Sequence, residues 1–148
     1  MLIRLAELKD TEKIAKNNVM LAEESENIEI CYERAVEGVE KVIEDINKGF
    51  YLIAEENGEI IGQIMITYEW SDWKARQIWW LQSIYVKKKH RRKGIMKLLI
   101  NEIIKMALEN NVILLRLYVH ENNKNAMNAY EKIDLKRTPY FIYEMKVQ

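Results

Sequence analysis
Apolar positions recur along the chain with two periods, and the switches between them mark out its elements. Residues 2–6 read as a short strand, and residues 11–22 as a polar helical segment whose apolar face starts at Ile14 and Ala15. A loop near residues 23–27 ends that segment. Tyr32, Val36, Val39, Ile43 and Ile46 repeat at helical spacing, and Gly49 stands where a helix C-terminal glycine belongs. Residues 50–55 and 60–70 flank Asn57-Gly58, a pair that suits a tight turn between antiparallel strands. The sheet continues through residues 78–86. Ile95, Leu98, Leu99, Ile103, Met106 and Ala107 form one helical stripe. Residues 112–119 (VILLRLYV) are a branched apolar run that predicts a central strand. Residues 123–132 read as a short helix and 140–145 as a last strand, so the class is mixed α/β (α+β), with no repeat or linker.

A chain of 148 residues that is 49% apolar is long enough for one proper core, so a single domain over 1–148 is expected. Lysine plus arginine equals aspartate plus glutamate at 23 each, which argues against non-specific nucleic-acid binding. Cys31 is the only cysteine, excluding an intramolecular disulfide and a thiolate metal cluster, and no metal site is expected. No apolar run approaches a membrane span, and the N-terminal residues carry acids where a secretory signal would be apolar. A soluble, cytoplasmic protein fits these features.

Against this neutral background, residues 87–93 (KKKHRRK) hold six full positive charges and run into Gly94, which opens a helix. A strand, a basic turn, a glycine and a helix N-terminus in that order present unpaired N–H groups and cations to one place, which suits a phosphate. A solvated lysine-rich loop is the competing reading of that stretch alone.

The segment VKKKHRRKGIM resembles the acetyl-CoA signature of the GNAT superfamily of N-acetyltransferases, with Arg91 and Gly94 in its first and fourth places. Downstream, Asn123, Ala126 and Tyr130 are similar to that family's second pattern, which opens the helix after the fifth strand. The resemblance covers nearly the whole length. It implies a mostly antiparallel central sheet of about six to seven strands with about four helices, the fourth and fifth strands splayed apart. It also implies acetyl-CoA as co-substrate and direct transfer to a primary amine, on a small molecule or a peptide, in a ternary complex.

On this resemblance the backbone of Ile84, Tyr85 and Val86 pairs with the pantetheine arm. Arg91, Arg92, Lys93, Gly94, Ile95, Met96 and Lys97 hold the pyrophosphate, and Asn123 lies in the second motif. Met96 departs from the family, which prefers a small residue there. The thioester is implied near residues 81–83, and Tyr130 is the candidate acid for the departing thiolate. A core aromatic is the plainer use of Tyr130. The base is open: relatives carry a glutamate where this chain has Gln82 or Tyr118, so Gln82 would orient water or amine while Glu69 or Asp72 accepts the proton. Solvated carboxylates are the competing reading of those two acids. Trp70, Trp73, Trp79 and Trp80 suggest either an aromatic acceptor pocket or a core or homodimer contact. A covalent intermediate on Cys31 is not expected. The alternative function is a non-catalytic acyl-CoA-binding sensor or regulatory domain, which Gln82 together with Tyr118 supports and Tyr130 argues against.

Overall fold
A computed structural model describes residues 1–148. Five strands form one sheet in the order β1-β2-β3-β4-β5: β1 (Leu2–Leu5), β2 (Phe50–Glu56), β3 (Glu59–Ser71), β4 (Arg76–Val86) and β5 (Leu114–Arg116). The first four are antiparallel neighbours and β5 runs parallel to β4. The helices are α1 (Thr11–Glu26), α2 (Tyr32–Glu44), α3 (Ile95–Glu109) and α4 (Lys124–Lys132). The chain divides into two compact units, Met1–Tyr118 with the sheet and α1 to α3, and Val119–Gln148 with α4.

In the first unit, the alternation of β2 and β3 sends side chains to two apolar layers. Ile14 and Ala15 of α1 and Val39 of α2 pack with Tyr51, Ile53 and Ile60 on one face, and Met65 borders that cluster. The α3 residues Ile95 and Leu99 press on Gly62 from the other face; a Cβ there would lie 2.9 Å from Ile95 Cγ2. Gly62 thus lets the start of α3 settle against β3, which fixes where the basic turn meets the helix. The β2–β3 turn has positive φ at both Asn57 (51°) and Gly58 (77°), the geometry that Asn-Gly favours.

Several expectations need correction. The sheet has five strands rather than six to seven, because residues 140–145 form no strand; Tyr140, Phe141 and Tyr143 are exposed and no partner satisfies a ladder there. The run 112–119 contributes only the three residues of β5, at the sheet's end rather than its centre. Helix α1 continues four residues past Ala22, since Asn27 closes it in the left-handed conformation (φ 53°) with its N–H on the Ala22 and Glu23 carbonyls. Gly49 caps no helix, because α2 stops at Glu44; a Cβ at Gly49 would fall on the Ile66 carbonyl oxygen as β2 begins. In the α3 stripe, Ile100 is buried where Leu98 was expected, and Leu98 is exposed.

Candidate active site
The register of β4 changes character at Trp80. Ile78, Trp79 and Trp80 pair with Leu114, Leu115 and Arg116, and beyond Trp80 the strand has no β5 partner. On its other side β4 stays paired with β3, but Gln63 faces Tyr85 while Met65 faces Gln82, so β4 carries one extra residue. Ser83 takes up that bulge at φ 49°. The two strands therefore part where the bulge begins, and the β4 edge over residues 81–86 lies free of β5.

A buried polar network holds the bulge from below. Gln63 is fully buried on β3; its amide donates to Asn18 Oδ1 (2.8 Å) and the Ser83 carbonyl (3.3 Å), and its oxygen accepts from Asn17 Nδ2 (3.0 Å). Asn18 in turn donates to the Tyr51 hydroxyl at 3.3 Å. Burying these amides is tolerable because each is bonded, and the bonds tie α1 to the irregular point of β4.

The strand then runs into the basic turn. Arg91 Nε donates to the Val86 carbonyl (2.8 Å), and its guanidinium lies over the Tyr85 ring while donating to Glu24 on α1 at 2.9 Å. Tyr85 donates its hydroxyl to the same carboxylate at 2.5 Å. Burial opposes the charge on Glu24, but the hydrogen bonds from Tyr85 and Arg91, with the charges of Arg91 and Lys88, outweigh it and hold the carboxyl below its ordinary value. Burial and then the bond to Glu24 push the Tyr85 phenol up to about 12. Arg91 is thus fixed to the protein, and the Val86 carbonyl is already engaged.

The free cations come next. Lys88, Lys89, Arg92, Lys93 and Lys97 are exposed and belong to no ion pair, whereas Lys87 and His90 face Glu59 and Glu56. Arg92 (φ 63°) and Gly94 (φ 78°) both take left-handed conformations, folding the turn across the start of α3. The first helical bond runs from Leu98 N–H to the Gly94 carbonyl, and no N–H of residues 92–97 has a partner in the chain. Donors and positive charge converge there, a fit to a diphosphate. Ile95 is buried and Met96 half-buried, so their contribution to the turn is their N–H groups.

The expected catalytic side chains divide between the two units. On β4, Gln82 donates to Thr67 Oγ1 at 2.6 Å, leaving its own oxygen without a protein donor. Glu69 accepts from Trp80 Nε1 (2.8 Å) and pairs with Arg116 (3.1 Å), so its charge is already matched. The tryptophans separate as alternation requires: Trp79 is buried against Phe50, Trp80 is half-buried beside Tyr118, and Trp70 and Trp73 are exposed. Asp72 lies in the turn between β3 and β4, and Cys31 is exposed ahead of α2. In the second unit, Asn123 caps α4 by accepting from Ala126 N–H at 3.2 Å, which explains the asparagine-to-alanine spacing structurally. Tyr130 lies on α4, and burial raises its phenol above the ordinary value, keeping it protonated at neutral pH.

Sequence comparison identifies the architecture. The pattern of the Acetyltransferase (GNAT) family matches residues 18–134. The chain belongs to this family. GNAT enzymes use acetyl-CoA, and the free β4 edge with its basic turn is the part of this member that suits it. The chain is 35% identical over 74 residues to a thialysine N-epsilon-acetyltransferase from Bos taurus, covering 50% of this chain and 43% of that protein. It is 28% identical over 96 residues to an L-ornithine N5-acetyltransferase from Arabidopsis thaliana, covering 64% and 42%. It thus spans less than half the length of these curated relatives. The crystal structure of a possible acetyltransferase from Clostridium difficile 630 superposes with a TM-score of 0.92 at 38% identity, over 99% of this chain and 97% of that one. No helix is long and apolar enough to cross a membrane.

The sequence missed Glu24, Gln63 and Arg116. Glu24 fell in a stretch read as loop, and the other two gain their partners only when elements distant in sequence meet.

Proposed function
We propose that this GNAT protein transfers the acetyl group of acetyl-CoA to a primary amine on a small molecule, by direct attack in a ternary complex. The observation that carries the proposal is the free edge of β4 beyond Trp80 leading into the unpaired N–H groups of residues 92–97. An extended arm can add to that edge at Ile84 and Tyr85 as a further strand does, while the turn takes the diphosphate. Because Arg91 is committed to Glu24 and Val86, we assign it to shaping the turn, and Arg92, Lys93 and Lys97 to neutralising phosphate charge. Acetyl-CoA supplies an activated acyl carbon when bound.

Gln82 projects from β4 immediately before the bulge, where its free oxygen can accept a hydrogen bond from an approaching amine. An amide cannot take up a proton, so the amine loses its proton to water that Gln82 orients. Glu69 or Asp72 was the expected proton acceptor, but the existing donors to Glu69 suit it better to binding. Tyr130 is assigned the acid role on its motif and on its protonated state. The relatives named for thialysine and ornithine support a small-molecule amine. Thiol release from acetyl-CoA with a panel of small amines and peptides tests the reading. Amine-dependent release is expected; acetyl-CoA binding with no release for any amine would favour the sensor alternative.

A further inference from the structure
Glu69, Trp80 and Arg116 come from three different strands and meet on one sheet face at the last paired rung before β4 and β5 part. The face follows from the register. Met65 borders the α1–α2 cluster and lies opposite Gln82, so Thr67 and Glu69 on β3 and Trp80 on β4 share its side. Arg116 is the β5 partner of Trp80 and reaches across it to Glu69 at 3.1 Å. Tyr118 brings its ring to 6.2 Å from that of Trp80.

This pair is not closed upon itself. The Arg116 and Glu69 side chains keep 36% and 38% of their surface exposed, so both remain open to a ligand. Arg116 uses only its NH1 nitrogen on the carboxylate, which leaves the Nε and NH2 donors for a second carboxylate in the bidentate geometry a guanidinium favours. Glu69 Oε2 accepts one bond only and can accept another from an ammonium, with the Trp80 and Tyr118 rings as a cation-attracting wall. A cation and an anion offered side by side match a group with the opposite charges side by side.

We propose that Glu69 and Arg116 clamp the zwitterionic head of an α-amino acid, whose side-chain amine then reaches Gln82 for acetylation. The inference rests on the acetyltransferase reading above and narrows its acceptor. Spacing supports it. Trp80 and Gln82 lie on one face two residues apart, about 6.6 Å along a strand, and five bonds of an extended side chain reach about 6 Å at roughly 1.2 Å per bond. A head held at Trp80 therefore sets a terminal amine at Gln82, next to the bulge.

The test compares L-lysine with cadaverine, which has the same chain and terminal amine but no carboxylate. In the wild-type protein, kcat/KM for L-lysine should exceed that for cadaverine by about tenfold or more, mainly through KM, as expected for one charge-assisted bidentate contact. In Arg116→Gln the ratio should collapse towards one, and Arg116→Lys should retain part of it. Binding of L-norleucine, which carries the head without a second amine, should be measurable by calorimetry in the wild type and weakened by Arg116→Gln and Glu69→Gln in folded protein. Equal use of both amines by the wild type, or an unchanged ratio in a folded Arg116→Gln protein, would overturn the clamp while leaving the acetyltransferase reading standing. Failure of every amine would remove that reading and the clamp with it.

Discussion

Replacing Gln63 by methionine tests whether the buried amide network builds the site. The volume is nearly kept, but three hydrogen bonds disappear: those to Asn18 Oδ1, to the Ser83 carbonyl and from Asn17. Asn17 keeps its bond to the Ile60 carbonyl, so the damage centres on Asn18 and Ser83. At about 1 kcal/mol net for each bond, the loss is about 3 kcal/mol, the gain from a more apolar side chain being offset by acceptors left buried. For a chain of this size that lowers Tm by about 6–12 °C, which circular dichroism would read. Because Ser83 is the bulge, kcat should also fall, by up to about a hundredfold for a displacement near 1 Å. A Tm fall below about 2 °C, or a destabilised protein with undiminished kcat, would refute the view that this network holds the reacting centre in place.

Gly94→Val has room for its side chain, since a Cβ there meets nothing within 4 Å, but φ 78° strains a β-branched residue. The protein should stay folded at a cost of about 1–2 kcal/mol, while acetyl-CoA binding measured by calorimetry weakens as the turn beneath the free N–H groups shifts. Tyr130→Phe should lower kcat by about ten- to a thousandfold with little change in cofactor affinity; wild-type turnover would make the tyrosine a packing residue only. The Glu24–Tyr85 pair should shape stability against pH at both ends. The carboxyl is depressed in the folded state, so its contribution is present above its unfolded value and is lost as pH falls through the folded one. The phenol moves from 10.0 up to about 12, so the unfolded chain ionises first and stability drops as pH rises between those values. Urea titrations of Glu24→Gln and Tyr85→Phe should show the acid and alkaline limbs flattened respectively, and unchanged limbs would place the pair outside the folding equilibrium.

Periodic signals translated well into structure. The helical repeats around Val39 and Ile103, the Asn57-Gly58 turn and the basic turn at Gly94 are local, and a local pattern suffices to specify each. The parting of β4 from β5 was expected only through family likeness, because the apolar run from Val112 onward reads as a continuous strand although just three of its residues pair. Gly49 looked like a helix terminator, and its actual constraint is the Ile66 carbonyl on a neighbouring strand. The same holds for chemistry. The basic turn at Gly94, proposed to take the diphosphate, is spelled out along a few consecutive residues. Glu24 meets Arg91 across 67 positions and Arg116 meets Glu69 across 47, so neither pair leaves a local trace.

Acetyl transfer to an amine is read directly by product analysis. Incubating the protein with acetyl-CoA and L-lysine, then identifying the products by mass spectrometry, should show an Nε-acetyl product formed in step with free coenzyme A. Its rate should rise with pH as more of the amine becomes neutral, since Gln82 takes up no proton. Tight acetyl-CoA binding with no acetylated product, for L-lysine or any other amine in the panel, would show a protein that holds acetyl-CoA without transferring its acetyl group.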